Sequence, residues 1–266
     1  MEGAVMRKLR LLLFLFMLSL WFATSDSFAQ DRLELIKERG IIKIGVSLGA
    51  VPIGFRDNRN KPAGYSVELA HAVANKLGVR AKLIDVHGDA RISMLISGQI
   101  DLAIANLTIT ESRAEAIDFS IPYLKTGLRI IVQGGHDIQD VKQLAGKSIV
   151  VGRGSSGEIY IRENVPDAKL VYTDRFAPNG LLLLKQGRVF AAIEDNTIID
   201  YLALSEPYLE LVPGIISSGP IGIGIAKGNP ALRSWVNTHI NEYIKSGAYE
   251  ASFKKWWGTS IEPPVL

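Results

Sequence analysis

Short apolar segments alternate with segments of helical periodicity from Leu33 onward, and this alternation constrains the fold of the chain most. Residues 41–46, 81–86 and 100–105 are apolar runs of strand length. Between the first two, apolar residues recur at helical spacing over 67–77, and Gly78 is expected to end that helix. Strand–helix units joined by short turns predict an α/β fold with parallel-type sheets covered by helices.

A second series of the same kind follows. Strands are expected at 127–133, 148–151, 169–172, 189–193, 209–212 and 221–226, and helices at 158–163, 180–186, 198–204, 230–245 and 249–257. We therefore predict two α/β lobes between which the chain crosses twice. Lobe 1 is expected to hold residues 30–124 and 221–266, and lobe 2 residues 125–220.

Residues 1–29 predict a signal peptide. Three cations within residues 7–10 precede an apolar core at 11–22, and small residues flank Phe28 at the expected cleavage site. The alternative is an uncleaved membrane anchor, although a span needs roughly 20 apolar residues. Cleavage after Ala29 would release 237 residues, the 266 of the chain minus these 29, into the periplasm.

The composition excludes several classes of function. The absence of cysteine excludes thiol catalysis, disulfides, iron–sulfur clusters and a lipid on an N-terminal cysteine. The formal charge is +3, and it falls to +2 without the leader, which carries three cations and two anions. With no long basic run, a nucleic-acid partner is not expected. The four histidines show no metal-ligand spacing, so neither a metal nor a cofactor is expected.

Residues 106–123 are the most informative stretch of the chain. Thr110 is a suitable helix N-cap, and Arg113 occupies the position where a capping box would place Glu or Gln. A planar guanidinium at the mouth of a strand suits bidentate capture of a carboxylate. The alternative is a surface arginine paired with Glu111 or Glu115.

A glycine-rich motif precedes a predicted helix in the second lobe. Residues 152–157 spell GxGxxG, and Asp174 lies where a dinucleotide-binding acid would be. Export from the cytoplasm, the small lobe and the absence of a catalytic partner argue against a nucleotide. Backbone N–H groups at this helix N-terminus, with Ser155 and Ser156, instead predict an anion site that fits a carboxylate.

Asp195 follows the apolar strand at 189–193. A carboxylate at the C-terminal edge of a strand lies where open α/β sheets bind ligands. The alternative, compatible with binding, is an N-cap for the helix at 198–204. Alternation along a strand predicts that Glu194 points to the opposite face.

Several segments match one family of exported proteins: 42–46, 63–70, 97–110 with Arg113, 117–123, 151–156, 186–189 and 222–228. Over about residues 33–258 the chain resembles the extracellular solute-binding proteins, family 3, of bacterial ABC importers, in the polar amino-acid branch. The resemblance implies a two-lobed, type 2 periplasmic-binding clamp with two hinge strands. It also implies that Arg113 and the loop with Ser155 and Ser156 bind the ligand α-carboxylate, and that Asp195 binds the α-ammonium group.

The resemblance says less about the ligand side chain. Asn106 and Thr108 match positions that line the family pocket. Ala50 lies near the position of a frequent aromatic lid, and Leu48 stands where binders of basic amino acids often carry an acid. Arg91 matches a position where some acidic-amino-acid binders keep an arginine. These matches imply an acidic or amide ligand, glutamate or aspartate first, unless Arg91 lies on the helix surface.

The function implied is that of a periplasmic, non-enzymatic and monomeric component of an amino-acid importer. It would capture a free amino acid and present it to an inner-membrane ABC permease. One alternative is an exported dehydratase of the cyclohexadienyl or arogenate type, which needs an acid or base in the cleft, and Glu194 is the one candidate. Another is a ligand-sensing domain of a receptor or channel, which needs a membrane tether.

Overall fold

Nine α-helices and thirteen strands are assigned within the part of the chain that the computed structural model describes, which is residues 31–88, 90–259, 261 and 264. The helices are α1 Arg32–Arg39, α2 Tyr65–Leu77, α3 Ala90–Ile96, α4 Glu111–Ala116, α5 Ser156–Asn164, α6 Leu181–Lys185, α7 Asn196–Ser205, α8 Pro230–Lys245 and α9 Ala248–Trp257. The strands are β1 Ile41–Val46, β2 Phe55–Arg56, β3 Pro62–Ala63, β4 Arg80–Asp85, β5 Leu102–Ala103, β6 Ile117–Phe119, β7 Leu124–Gln133, β8 Ser148–Gly152, β9 Lys169–Thr173, β10 Ala191–Asp195, β11 Leu209–Leu211, β12 Ser217–Ile221 and β13 Gly224–Ala226.

The signal peptide predicted for residues 1–29 lies outside the described residues and stays a prediction. In the described ranges, no helix combines the length and the apolar character needed to cross a bilayer.

The first sheet has the strand order β4-β1-β5-β13-β6. Strand β1 pairs in parallel with β4 and β5, as the strand–helix alternation predicts. Strand β13, from the C-terminal part of the chain, pairs antiparallel with β5 and β6 and makes this sheet mixed. Its core includes Ile42, Ile44 and Val46, all fully buried.

The second sheet has the order β11-β7-β10-β8-β9, and β12 also pairs with β7. Strand β8 runs parallel to β9 and β10, whereas β10 is antiparallel to β7. Each lobe therefore contains a parallel group of strands whose C-terminal ends open toward the same region of the molecule.

Two paired strands carry the chain between the sheets. Strands β7 and β12 form an antiparallel ladder from Ser217 opposite Leu128 to Ile221 opposite Leu124. Tyr123 N–H donates to Ile221 O at 2.9 Å, which extends the ladder into the first lobe. The predicted lobe boundaries fall at this ladder and stay a prediction.

Two predicted strands differ from the structure. Residues 221–226 were expected to form one strand, but the chain leaves β12 at Ile221 and starts β13 at Gly224, where it changes sheets. Of the run 100–105, only Leu102–Ala103 pairs in the ladder, although all six residues are buried. The apolar pattern reflects burial, which extends beyond the hydrogen-bonded part of a strand.

The terminal helix α9 packs against both lobes. The ring of Trp257 stacks on Phe253 with centroids 4.3 Å apart and meets Tyr65 edge-on at 5.4 Å. Its indole Nε1 donates to Thr197 O in α7 at 2.7 Å. Glu68 of α2 accepts hydrogen bonds from Ser252 and the Trp256 indole, both at 3.0 Å. These contacts give Trp256 and Trp257 a packing role.

Candidate functional site

One cavity between the two sheets contains all seven side chains that the sequence marked as candidates. It is lined by Arg91, Asn106, Thr108 and Arg113 from the first lobe, and by Ser155, Ser156 and Asp195 from the second. The structure thus brings together residues up to about a hundred positions apart in sequence. Their contacts with a ligand stay a prediction.

Arg113 is buried at the cavity, with 8% of its surface exposed. Thr110 caps α4 by accepting a hydrogen bond from the Arg113 backbone N–H at 3.3 Å, which fixes where the side chain leaves the helix. The guanidinium donates through Nη1 to Thr108 O at 2.8 Å and through Nη2 to Gly154 O at 3.0 Å. The alternative of a surface arginine is therefore wrong.

Arg91 also faces the cavity and does not lie on the helix surface. Its Nε donates to Gly88 O at 2.8 Å, and Nη1 donates to the carbonyls of Ala105 and Asn106 at 3.3 and 3.2 Å. Nη2 donates to Gly154 O of the other lobe at 3.3 Å. Arg91 therefore ties the end of β5 to the loop after β8, and its donors are directed at backbone carbonyls.

The glycine-rich loop has a more specific geometry than its sequence predicts. Ser155 caps α5, since its Oγ accepts from Glu158 N–H at 3.1 Å. The Glu158 carboxylate accepts in turn from Gly154 N–H at 2.8 Å and so occupies one donor of the expected anion cradle. Ser156 Oγ donates to Thr108 Oγ1 at 3.0 Å across the cleft. A helix leaves its first N–H groups as donors for an anion, and in α5 Ser155 already accepts from that of Glu158.

Asp195 ends β10 and is 6% exposed. Its Oδ2 accepts a hydrogen bond from Asn106 Nδ2 at 2.6 Å, which again crosses the cleft. Asn106 holds this position with a φ of 51°, a left-handed conformation that asparagine tolerates better than most residues. Asp195 is the N-cap of α7 by position, but within the described residues its side chain makes no capping hydrogen bond. The carboxylate is directed at the cavity.

Glu194 lines the same cavity as Asp195, because the cavity lies at the end of β10, where residues of both faces of the strand reach it. The orientation of the Glu194 side chain toward the opposite face of the strand stays a prediction. Burial and the neighbouring Asp195 charge raise the pKa of Glu194 to about 8. Burial also raises the pKa of Asp195, against hydrogen bonds from Thr126 and Asn106.

Further residues line the cavity that the sequence did not mark as ligand contacts, among them His87, Asp174 and Phe176. His87 follows β4, and the other two follow β9, so each lies just beyond the C-terminal end of a parallel strand. The rule that identified Asp195, a polar residue at the end of a strand, would also have identified His87 and Asp174. The family position of an aromatic lid falls near Ala50, which is not aromatic, and Phe176 of the second lobe lines the cavity.

Two contacts close the edge of the cavity. Arg175 Nη2 lies 3.0 Å from Asp85 Oδ2, and Ala177 N–H donates to Gly49 O at 2.9 Å. Both join the loop after β9 to the first lobe. The structure therefore shows the two lobes in contact around the cavity.

Residues 42–259 match the family described as bacterial extracellular solute-binding proteins, family 3. The chain belongs to this family. It is therefore a solute-binding protein of the amino-acid ABC importer type with the type 2 periplasmic-binding fold, as the sequence resemblance predicts. Members of this family bind free amino acids and deliver them to ABC permeases.

Two curated relatives of this family 3 protein carry different ligand names. The L-cystine-binding protein TcyJ of Escherichia coli K12 is 32% identical, with 88% of this chain and 90% of that protein covered. The ABC transporter glutamine-binding protein GlnH of Bacillus subtilis is 29% identical, with 85% of each chain covered.

Two solved structures are similar to it along most of their length. The solute receptor for L-cysteine of Neisseria gonorrhoeae is 31% identical with a TM-score of 0.82, covering 87% of this chain and 97% of that one. The ancestral amino acid-binding protein AncCDT-1, a precursor of cyclohexadienyl dehydratase, is 28% identical with a TM-score of 0.78, covering 85% and 99%.

Proposed function

We propose that this protein captures one polar L-amino acid in the cavity and presents it to an inner-membrane ABC permease. The observation that carries the proposal is that Arg113 and Asp195, from opposite lobes, line the same cavity. Arg113 would bind the α-carboxylate through its planar guanidinium, and Asp195 would bind the α-ammonium group. A zwitterion satisfies both charges at once.

Closure of the lobes is the proposed mechanism of capture. The pairs Asn106–Asp195 and Ser156–Thr108 are hydrogen-bonded across the cleft, and Arg113 donates to Gly154 O in the same way. An amino acid that bridges Arg113 and Asp195 makes both contacts only when the lobes are together. It therefore shifts the population toward the closed arrangement.

For the ligand side chain we propose a neutral polar group, an amide included. The prediction of glutamate or aspartate depended on Arg91, whose donors are directed at four backbone carbonyls. Glu194 adds a carboxyl to the same cavity and disfavours an anionic side chain. Cystine, glutamine and cysteine, named in three of the relatives, have side chains without net charge, whereas other relatives are named for glutamate and aspartate or for arginine. Glutamate and aspartate, the ligands predicted first from the sequence, are tested in the binding screen described next.

The test is a thermal-shift screen of the protein without residues 1–29, followed by calorimetry. The panel is glutamine, asparagine, cystine, cysteine, glutamate, aspartate and arginine. We expect a neutral polar member to raise the melting temperature. The chain contains no cysteine, so cystine and cysteine cannot form mixed disulfides with it.

Arg113→Ala and Asp195→Ala are the decisive variants. Removing one partner of a buried charge pair costs about 2–5 kcal/mol, so affinity should fall by roughly two orders of magnitude or more. Failure of every amino acid to bind, or near-native affinity in either folded variant, would reject the proposal.

An exported dehydratase is the second candidate, favoured by the Glu194 carboxyl. A cavity carboxyl with a pKa of about 8 has the protonation state of a general acid near neutral pH. Incubation with prephenate and detection of phenylpyruvate tests this candidate. Turnover that Glu194→Gln abolishes would establish the enzyme, and we expect none.

A further inference from the structure

The ammonium-binding half of the cavity contains two carboxyl groups. Glu194 and Asp195 are adjacent in sequence and line the same cavity, and Asp195 N–H donates to Glu194 Oε1 at 3.1 Å. Asp195 has one cross-cleft partner, the Asn106 amide. Only one of these two acids is needed for a single ligand ammonium group, which leaves Glu194 without a role in the proposed binding mechanism.

The cations around the pair lower the pKa of its two acids from a distance but, across the described ranges, form no ion pair with them. Among the ion pairs of the described residues, none includes Glu194 or Asp195. Arg91 of α3 and Arg113 of α4 donate to backbone carbonyls, and Arg153 after β8 lies 4.3 Å from the centre of the Tyr172 ring.

The remaining titratable groups facing the cavity supply no positive charge. They are His87 after β4 and Asp174 after β9. Burial lowers the pKa of His87, so this imidazole is neutral at pH 7. Asp174 is itself an acid.

Two adjacent carboxyls in a partly enclosed cavity cannot both ionise without strong repulsion. The protonation state of lower free energy has one proton on the pair, in line with the raised pKa of Glu194. A ligand ammonium group placed at Asp195 brings a positive charge to the same spot and removes the reason for retaining that proton.

We propose that Glu194 and Asp195 share one proton that the ammonium group of the ligand displaces, so that amino-acid binding releases one proton. The O–H bond of the protonated carboxyl breaks, the proton passes to solvent, and both carboxylates then face the ammonium group. Arg91 balances the extra negative charge from across the cleft. This inference rests on the proposed function and adds a proton linkage to the same site.

The linkage has a definite sign. Because protons are released on binding, affinity increases with pH while the free protein still carries the shared proton. The increase approaches tenfold per pH unit for one proton, and it levels off above the pH at which the pair loses that proton without ligand. A site with Asp195 alone would show no such slope near neutral pH.

The experiment is calorimetry at pH 7 in two buffers of different ionisation enthalpy, phosphate and Tris. Glutamine and cystine are the probes, joined by any other member of the panel that binds. The difference in observed enthalpy between the buffers counts the protons released. We expect close to one for the wild-type protein and close to zero for Glu194→Gln, with a flat dependence of affinity on pH between 6 and 8 in that variant.

Two controls isolate Glu194. Glu163→Gln, an exposed glutamate of α5 outside the cavity, should release as many protons as the wild type. His71→Gln, at an exposed histidine of α2 outside the cavity, should do the same. Binding without proton release in the wild type overturns this inference alone and needs no variant to fold. Absence of all binding overturns the proposed function as well.

Discussion

Arg175 Nη2 lies 3.0 Å from Asp85 Oδ2, and this ion pair joins the two lobes beside the cavity. Asp85 also lies 2.9 Å from His87 Nε2 and accepts a hydrogen bond from Leu48 N–H at 3.2 Å. In the described part of the chain, neither Asp85 nor Arg175 lines the cavity. The pair therefore stabilises the contact between the lobes without touching the proposed ligand.

Removing this ion pair should weaken the binding of every ligand by the same factor. In Arg175→Gln, we expect the dissociation constant to rise about two- to fivefold, because an ion pair whose arginine is 41% exposed contributes only about 0.4–1 kcal/mol. Calorimetry with two amino acids of different side chain measures the effect. The exposed Arg188→Gln is the matched control and should bind as the wild type does. A change in selectivity would contradict the role assigned to Arg175.

Lysine at position 113 should not restore the ligand affinity that Arg113 provides. The two guanidinium nitrogens serve separate carbonyls, of Thr108 and Gly154, while the planar group faces the cavity. An ammonium group supplies the charge but not this fork, so Arg113→Lys should lose about tenfold or more in affinity while the fold is kept. Titration calorimetry with circular dichroism as the folding control tests the prediction. Wild-type affinity in the lysine variant would show that charge alone suffices.

Arg91→Ala separates a structural role from a contact with the ligand side chain. With its donors on Gly88, Ala105, Asn106 and Gly154, Arg91 should support closure for every ligand. We expect glutamine and glutamate to lose affinity by the same factor, and the melting temperature of the free protein to fall. Competition binding with both amino acids gives the ratio. A loss confined to glutamate would instead support the acidic ligand predicted from the sequence.

His239 should make the protein sensitive to mild acid. It is 9% exposed and stacks on Trp235 with centroids 5.8 Å apart, and burial together with nearby Lys76 lowers its pKa. Its pKa is below the unfolded value of about 6.5, so the unfolded chain binds more protons as pH falls through 6.5. The stability that neutral His239 contributes is therefore present above that pH and is lost as the pH falls below it.

The variant His239→Phe keeps the ring stack and removes the titrating group. Its free energy of unfolding should fall less than that of the wild type between pH 7 and pH 5, as measured by urea titration at each pH. The exposed His71→Gln should retain wild-type acid sensitivity. Equal losses in His239→Phe and the wild type would rule out His239 as the source.

Much of the site was predictable because polar residues that follow apolar strands meet at one edge of a sheet. Asp195 was recognised in this way, and the structure places its Oδ2 atom 2.6 Å from Asn106 Nδ2. Glu194 was not, because the alternation rule assigns faces of a strand, whereas residues of both faces reach a cavity at the end of β10.

The pairing of Asp85 with Arg175 could not be predicted from the sequence at all. The two residues are 90 positions apart, on different lobes, and no local pattern marks either of them. The acceptors of the Arg91 hydrogen bonds could not be predicted either, because they are backbone carbonyls, which every residue carries.

The hydrogen bond from Trp257 to Thr197 links the fluorescence of a tryptophan to the position of α7. The indole is 2% exposed and donates to the first turn of α7, two residues after Asp195. A shift of α7 on ligand capture would alter the hydrogen bond and therefore the emission of a ring that never touches the ligand. Intrinsic fluorescence can thus follow capture in real time, on unlabelled protein.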